Sequence, residues 1–375
     1  MKHIASPALR ARPRAEMVAG LQEGVARAAM TGAGRPNRYW PNRYWPNRYW
    51  PNRYWPNRYW PNRYWNGWNW ATVLAAAWLV SLWIAVSPIR LADGTLFQLF
   101  QVGILSVCAA WLAYLLRHLE RLSAVLAGAG VMLAAWPVLR LLNHISMANS
   151  MPFADPWISA LDHAIGFDWL AYSLWVDQNY WLRYAMDQAY TRLDHYAALL
   201  FLLLALRSNA RERCGEFIRL FLWTALFCMG VGALFPAEAA MLYYAPDESL
   251  FLWATHDTGS YHMQSLTALR TDPGHVLHLQ QLPGLVTFPS FHTAMGVIAI
   301  YCSRGTWWLF GPMLAINLLM IASTPVFGSH YAADIIAGTI VALGMIAIHR
   351  TFFSNAPVPT DGMAVTKPIP APLAV

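Results

Sequence analysis

The chain has 375 residues, of which 57% are hydrophobic and only 12% are charged, about half the charged share of a typical soluble protein. A soluble globule of this composition would expose large apolar patches, so we expect an integral membrane protein. The formal net charge of +7 resides in residues 1–70, which are strongly basic, while the remainder is slightly acidic. A nucleic-acid partner is therefore not expected from the basic charge alone.

The four cysteines form no C-x-x-C pair, so neither a disulfide framework nor a zinc site is expected. We expect no metal and no cofactor. Residues 1–30 are basic but lack an apolar core, so a cleaved signal peptide is not expected either.

The pentapeptide PNRYW occurs six times without change between Pro36 and Trp65. A proline at every fifth residue excludes a continuous helix or a central strand, so the tract is predicted to be disordered. Its Arg, Tyr and Trp side chains would suit anionic lipid headgroups or RNA. Because the copies are identical, we favour the alternative that the repeat arose by replication slippage and has no function.

Eight apolar runs follow the repeat. The second of them, residues 95–116, is uncharged and would be about 33 Å long as a helix, which is enough to cross a bilayer. The sequence therefore predicts an all-α polytopic membrane bundle of about eight transmembrane helices, six of them in the catalytic core, with a disordered N-terminal tail. The predicted spans are 71–87, 95–116, 122–142, 184–206, 217–235, 291–302, 307–322 and 331–348.

Basic residues concentrate in the short loops on one side of these spans, which places the N-terminus in the cytoplasm by the positive-inside rule. Two long segments, about 143–183 and 236–290, then lie outside. The first is predicted to form an interfacial helix or helix pair, with Asp162 and Asp168 as solvated residues or helix caps. Glu238, in the second segment, is predicted to face water.

Two histidine motifs begin the sixth and eighth spans: Phe-Pro-Ser-Phe-His at 288–292 and Gly-Ser-His-Tyr-Ala-Ala-Asp at 328–334. Both spans run inward, so the two motifs should meet at the outer face. Ser290 and Ser329 are predicted N-caps of the two helices. Because helix N-termini attract anions, this arrangement predicts a phosphate site.

His330 and Asp334 are four residues apart and should share one helical face. A carboxylate on one ring nitrogen would fix the tautomer and make the other nitrogen a better nucleophile. His292 could then protonate the leaving oxygen, which suffices for phosphoryl transfer through a phosphohistidine without metal. A single interfacial histidine would more simply be bonded to loop carbonyls, but two at matched helix starts favour chemistry.

These motifs resemble the type 2 phosphatidic acid phosphatase superfamily, whose corresponding patterns are P-S-G-H and S-R-x5-H-x3-D. The form Gly-Ser-His-Tyr-x-x-Asp, and the stretch from Leu161 to Trp169, look most like its inositol phosphorylceramide synthase branch and bacterial relatives. The resemblance covers roughly residues 152–338. It implies a metal-independent helical bundle with its site near one leaflet. It also implies roles for individual residues: His330 as nucleophile, Asp334 as its orienting carboxylate, His292 as general acid and Ser290 as a phosphate-binding residue.

The sequence departs from the superfamily at its cationic phosphate clamp. Phe291 stands where the motif has Gly, Thr324 stands where it has Arg, and the first motif, K-x6-R-P, has no clear counterpart. Arg270 is our first choice for a substitute, with Arg183 and Arg192 as alternatives. The missing arginines favour head-group transfer over simple hydrolysis.

The sequence thus predicts an integral membrane lipid phosphatase or phosphotransferase that acts on a phospholipid or lipid phosphate ester, including transfer of an inositol-phosphate-like head group. The alternative is a non-catalytic carrier or binding protein for lipid phosphates. A third possibility places the function in an RNA- or lipid-binding tail. A bacterial inner membrane is expected, with the site on the extracytoplasmic side. The predicted domains are a basic tail (1–35), the repeat tract (36–70), additional transmembrane helices (71–145), the phosphatidic acid phosphatase-like catalytic domain (146–352) and a disordered C-terminal tail (353–375).

Overall fold

The computed structural model describes residues 66–253, 262–272 and 274–354. The predicted disordered tracts therefore lie almost wholly outside the described residues. Where they overlap them, residues 67–70 and 353–354 belong to the first and last helices. The described chain is nearly all helical, with one short parallel pairing of β1 (Arg90–Leu91) and β2 (Val276–Leu277).

The helices are, in chain order, α1 (Gly67–Val86), α2 (Thr95–Leu115), α3 (Glu120–Met147), α4 (Asp155–Ala164), α5 (Trp169–Gln178), α6 (Tyr180–Thr191), α7 (Leu193–Ala205), α8 (Ala210–Leu234), α9 (Ala240–Tyr244), α10 (Met263–Thr271), α11 (Phe291–Cys302), α12 (Trp307–Phe327) and α13 (Ala332–Ser354). Short 3-10 turns occupy Glu248–Leu250 and Leu279–Gln281.

Six helices of the described chain are long and apolar enough to cross a membrane: α1, α2, α3, α8, α12 and α13. The prediction of an all-α polytopic membrane protein is confirmed. Two further apolar helices, α7 and α11, are shorter. With 13 and 12 residues they are about 20 and 18 Å long, less than the thickness of a hydrocarbon core.

The fourth predicted span is interrupted in the structure. The chain leaves the helix at Arg192, so that α6 and α7 replace one continuous helix. The fifth span ends before Pro236, as predicted, because proline cannot continue a helix. The predicted helix pair in segment 143–183 is confirmed as α4 and α5, and Asp168 caps α5 by accepting the amide of Ala171 at 2.9 Å.

The short helix α11 lies at the centre of the bundle and packs against α8, α12 and α13. Its inward residues Ala294, Met295 and Ile298 are buried in the largest core cluster, together with Leu204 and Leu220. Because α11 is enclosed by longer helices, its first turn is held in a fixed position relative to theirs.

A close approach of α11 and α13 brings their N-termini together. The amide of Ser290 donates to the carbonyl of Asp334 at 3.2 Å. One turn further along α13, the Ser290 carbonyl lies against Gly338, where a Cβ would clash with it. Glycine at 338 is therefore what allows the two helix starts to lie side by side.

Gly338→Ala is expected to force the two helices apart and to destabilise the protein by roughly 1–3 kcal/mol. Gly344→Ala is the matched control, because a Cβ at Gly344 of the same helix meets nothing within 4 Å. Thermal unfolding of both variants in detergent measures the difference. Equal midpoints for the two variants would contradict this account of the helix contact.

Candidate active site

The two predicted histidines meet at one end of the bundle. His330 lies in the turn before α13 and His292 is the second residue of α11. Their ring centroids are 6.4 Å apart. His330 is buried, with 4% of its surface exposed, whereas His292 is partly exposed. The pair is therefore close enough to act on one substrate group.

His330 is oriented by a buried carboxylate. Its Nδ1 lies 3.0 Å from Oδ2 of Asp334, and both side chains are buried. The same oxygen accepts the amide of Tyr331 at 3.1 Å. An Nδ1–H donated to Asp334 leaves Nε2 with the lone pair. Burial lowers the pKa of His330 to about 4, which favours the neutral imidazole.

Ser290 is the N-cap of α11, as predicted. Its hydroxyl accepts the amide of Thr293 at 3.3 Å, and the residue is fully buried. The backbone amide of Ser290 donates to the backbone carbonyl of Asp334. Ser290 therefore links the start of α11, which carries His292, to the start of α13, which follows His330.

The start of α13 is capped differently from the prediction. Ser329 adopts a φ of +53°, and its hydroxyl accepts the amide of Met241 at 2.6 Å, so it serves α9 and not α13. Asp162 of α4 caps α13 instead, accepting the amides of Ala332 at 2.9 Å and Ala333 at 2.8 Å. The first amides of α13 are therefore occupied by a protein carboxylate, and the expected phosphate site there is not formed.

Asp162 was predicted to be a cap or a solvated residue, and only the first is correct, because it is fully buried. Burial raises its pKa, while the amides of Ala332 and Ala333 lower it. Asp155, two turns earlier on α4, is also buried. It accepts the hydroxyl of Tyr331 at 2.8 Å and the amide of Glu238 at 2.9 Å.

The carboxylates of Asp155 and Asp162, both on α4, thus hold the residues that directly follow His330 in the chain. Asp155 was not predicted to be a site residue. The available signal was the spacing of seven residues between the two aspartates, which places them on one face of a helix.

Tyr190, in the last turn of α6, was missed by the sequence analysis. Its ring stacks on His292 with centroids 4.5 Å apart and an interplanar angle of 17°. Its hydroxyl lies next to Gly328, where a Cβ would stand 2.5 Å from it and 2.7 Å from Cδ2 of His330. Tyr190 therefore borders both histidines.

The side chain of Arg270, on α10, is bonded to two backbone carbonyls. Its Nε donates to the carbonyl of Asn149 at 2.8 Å, and its Nη2 donates to the carbonyl of Met151. The guanidinium also lies 4.3 Å from the ring centroid of Phe153. These two bonds use two of its five N–H donors.

The alternative arginines are also engaged. Arg183 lies 3.6 Å from the buried carboxylate of Asp177, and Arg192 donates to Gln188 at 2.7 Å. Thr324, at the position of the superfamily arginine, is buried in α12, and its carbonyl accepts the amide of His330 at 3.2 Å.

A third histidine, His262, lies near the pair. It is buried, and its Nε2 is 3.1 Å from the carbonyl of Glu238. Burial lowers its pKa, and the nearby His330 lowers it further. Glu238 is half-buried, so it does not simply face water as predicted, and burial raises its pKa. Within the described ranges, no group of three or more His, Cys, Asp or Glu side chains is arranged to hold a metal ion.

The fold and site together define a polytopic helical membrane protein with a carboxylate-oriented histidine and a second histidine at one end of its bundle. The family model described as the PAP2 superfamily matches residues 156–348, just over half of the chain. The chain belongs to the PAP2 superfamily, which fits a membrane protein of the phosphoryl-transfer class. No curated protein and no solved structure matches it. Helices α1 to α3 precede the matched region.

Asp162→Ala removes the acceptor of two buried amides and is expected to cost roughly 1–3 kcal/mol of stability. Asp168→Ala removes an exposed cap on the neighbouring helix and serves as the control, with an expected cost of about 1 kcal/mol or less. Thermal unfolding in detergent measures both. A smaller loss for Asp162→Ala than for Asp168→Ala would show that the cap on α13 is dispensable.

Proposed function

We propose that the protein transfers a phosphoryl or phospho-headgroup unit from a lipid phosphate ester through a phosphohistidine at His330. The observation that carries the proposal is the buried 3.0 Å contact between His330 and Asp334, with His292 at 6.4 Å between ring centroids. A nucleophile, its orienting carboxylate and a second proton-carrying group at this spacing are the parts that such a transfer needs.

In the first step, the Nε2 lone pair of His330 forms a bond to phosphorus while the ester P–O bond breaks. Burial and the nearby His330 lower the pKa of His292 to about 3, so the negative charge of the bound phosphate is proposed to keep it protonated. His292 gives its proton to the leaving oxygen, so the alcohol departs neutral. Asp334 stabilises the positive charge that develops on the His330 ring. In the second step, water or an alcohol attacks phosphorus, returns a proton to His292 and releases neutral His330.

The phosphate group is proposed to lie against the first turn of α11. Ser290 is at that turn, and a helix N-terminus favours an anion. Arg270 is proposed to supply positive charge to the phosphate, through the N–H donors that do not bond the carbonyls of Asn149 and Met151. It already interacts electrostatically with Glu238, whose amide bonds Asp155 beside Tyr331.

The acceptor in the second step distinguishes a phosphatase from a synthase. Water as acceptor makes the protein a lipid phosphatase, and an alcohol makes it a head-group transferase, including one for an inositol-phosphate-like group. The threonine at position 324 supports transfer, because the usual phosphate-binding arginine is replaced. We place the site on the extracytoplasmic side of a bacterial inner membrane, since the short basic loops lie at the opposite end of the helices that carry it.

Wild-type protein incubated with 32P-labelled short-chain phosphatidic acid in EDTA is expected to form an acid-labile, base-stable phosphoprotein. His330→Ala should abolish the label, because the nucleophile is gone. His195→Ala is the control, since this histidine is exposed on α7 and pairs only with exposed Asp194 at 2.8 Å.

Label that persists in His330→Ala would refute the proposed nucleophile. Binding of phosphatidic acid without label in the wild type would favour the carrier alternative. Label without phosphate release, discharged only by an added alcohol, would identify a transferase.

Arg270→Ala is expected to raise KM for short-chain phosphatidic acid roughly 10- to 100-fold, the effect of losing a charge-assisted hydrogen bond. Arg270→Lys should fall between this variant and the wild type. Arg90→Ala is the control, because Arg90 is exposed on β1. If KM is unchanged in Arg270→Ala, the phosphate is bound by other groups.

A further inference from the structure

Tyr190 is an aromatic side chain of the site that the proposed chemistry leaves without a role. It lies at the end of α6, directly before the break at Arg192 that separates α6 from α7. The break ends the apolar run that the sequence predicted as one span. The partly buried side chain of Tyr190 lies at the histidine pair. The prediction of one continuous span placed no tyrosine there.

The contact with His292 is made through the ring faces. A centroid distance of 4.5 Å and an angle of 17° lie in the range of offset stacking. Phe327, at 6.3 Å from Tyr190, lies on the adjoining turn of α12. The imidazole is thus covered on one face and opposed by the His330 ring at 6.4 Å.

The position of the Tyr190 side chain depends on the absence of a side chain at Gly328. The hydroxyl occupies the space where a side chain at 328 would begin, next to the His330 ring. Gly328 is itself fixed by the bond from its amide to the Thr324 carbonyl at 3.0 Å. The tyrosine therefore stacks on His292 with its ring face, and its hydroxyl lies beside the backbone that precedes His330.

We propose that Tyr190 is a positioning residue that holds His292 in the orientation of a general acid. This inference rests on the proposed phosphoryl transfer. Stacking restricts rotation of the imidazole, so that its N–H points to the leaving oxygen. During the step, the N–H bond of His292 breaks and an O–H bond forms as the P–O bond breaks.

This role makes a prediction that depends on the leaving group. A glycerol-type alkoxide must be protonated as it leaves, whereas p-nitrophenolate is stable without a proton. Loss of Tyr190 should therefore slow phosphoprotein formation from short-chain phosphatidic acid and spare its formation from p-nitrophenyl phosphate. A merely structural role would slow both reactions alike.

The experiment compares single-turnover rates of the full-length protein in detergent with both substrates. Tyr190→Leu is expected to be slower with phosphatidic acid by roughly 10- to 100-fold and nearly unchanged with p-nitrophenyl phosphate. Tyr190→Phe keeps the stacking face and should stay close to wild type. The double variant Tyr190→Leu/His292→Ala should be no slower than His292→Ala, because both changes remove the same function.

Tyr196→Leu is the matched control. Tyr196 is a buried tyrosine on the next helix, α7, and its loss should not change the ratio of the two rates. Equal slowing of both substrates in Tyr190→Leu would overturn the positioning role while leaving the proposed function intact. Absence of phosphoprotein from either substrate in the wild type would instead overturn the proposed function, and the inference with it.

Discussion

The rest of the site depends on the buried hydrogen bond between Asp334 and His330. A carboxylate in the first turn of an apolar helix is costly without donors, and here the Tyr331 amide and the His330 ring both bond to Oδ2 of Asp334. Oδ1 has no hydrogen-bond partner among the described residues. The turn that carries both donors must therefore be rigid. Asp155 and Asp162 make it so, by fixing the Tyr331 hydroxyl and the first amides of α13.

The parts of this site that depend on local spacing could be predicted from the sequence. His330 and Asp334 lie four residues apart, and Ser290 precedes an apolar helix by one residue, so helical geometry alone places each of them. Ser329 was predicted wrongly by the same reasoning, because a backbone in the left-handed region turned its hydroxyl towards Met241. Spacing along the sequence shows which side chains could cap a helix, and the tertiary fold determines which of them does.

Asp162 and Tyr190 show what local pattern cannot supply. Asp162 caps a helix 170 residues further along the chain, and Tyr190 meets a histidine that is about 100 residues away. Hydropathy predicted the apolar runs well where they were long and uncharged, and poorly where a helix stopped without proline, as at Arg192. The cap on α13 comes from a distant segment, so local pattern alone could not predict it.

The charge balance around His330 bears on the kind of phosphate ester that the site can accept. Three buried carboxylates, Asp155, Asp162 and Asp334, lie on the α13 side of His330, and their N–H partners come from the protein. A phosphate dianion would be repelled by these carboxylates when they are ionised. A phosphodiester carries one negative charge less, so the repulsion is smaller. Ionised carboxylates on this side of the site would therefore disfavour a phosphate dianion more than a phosphodiester.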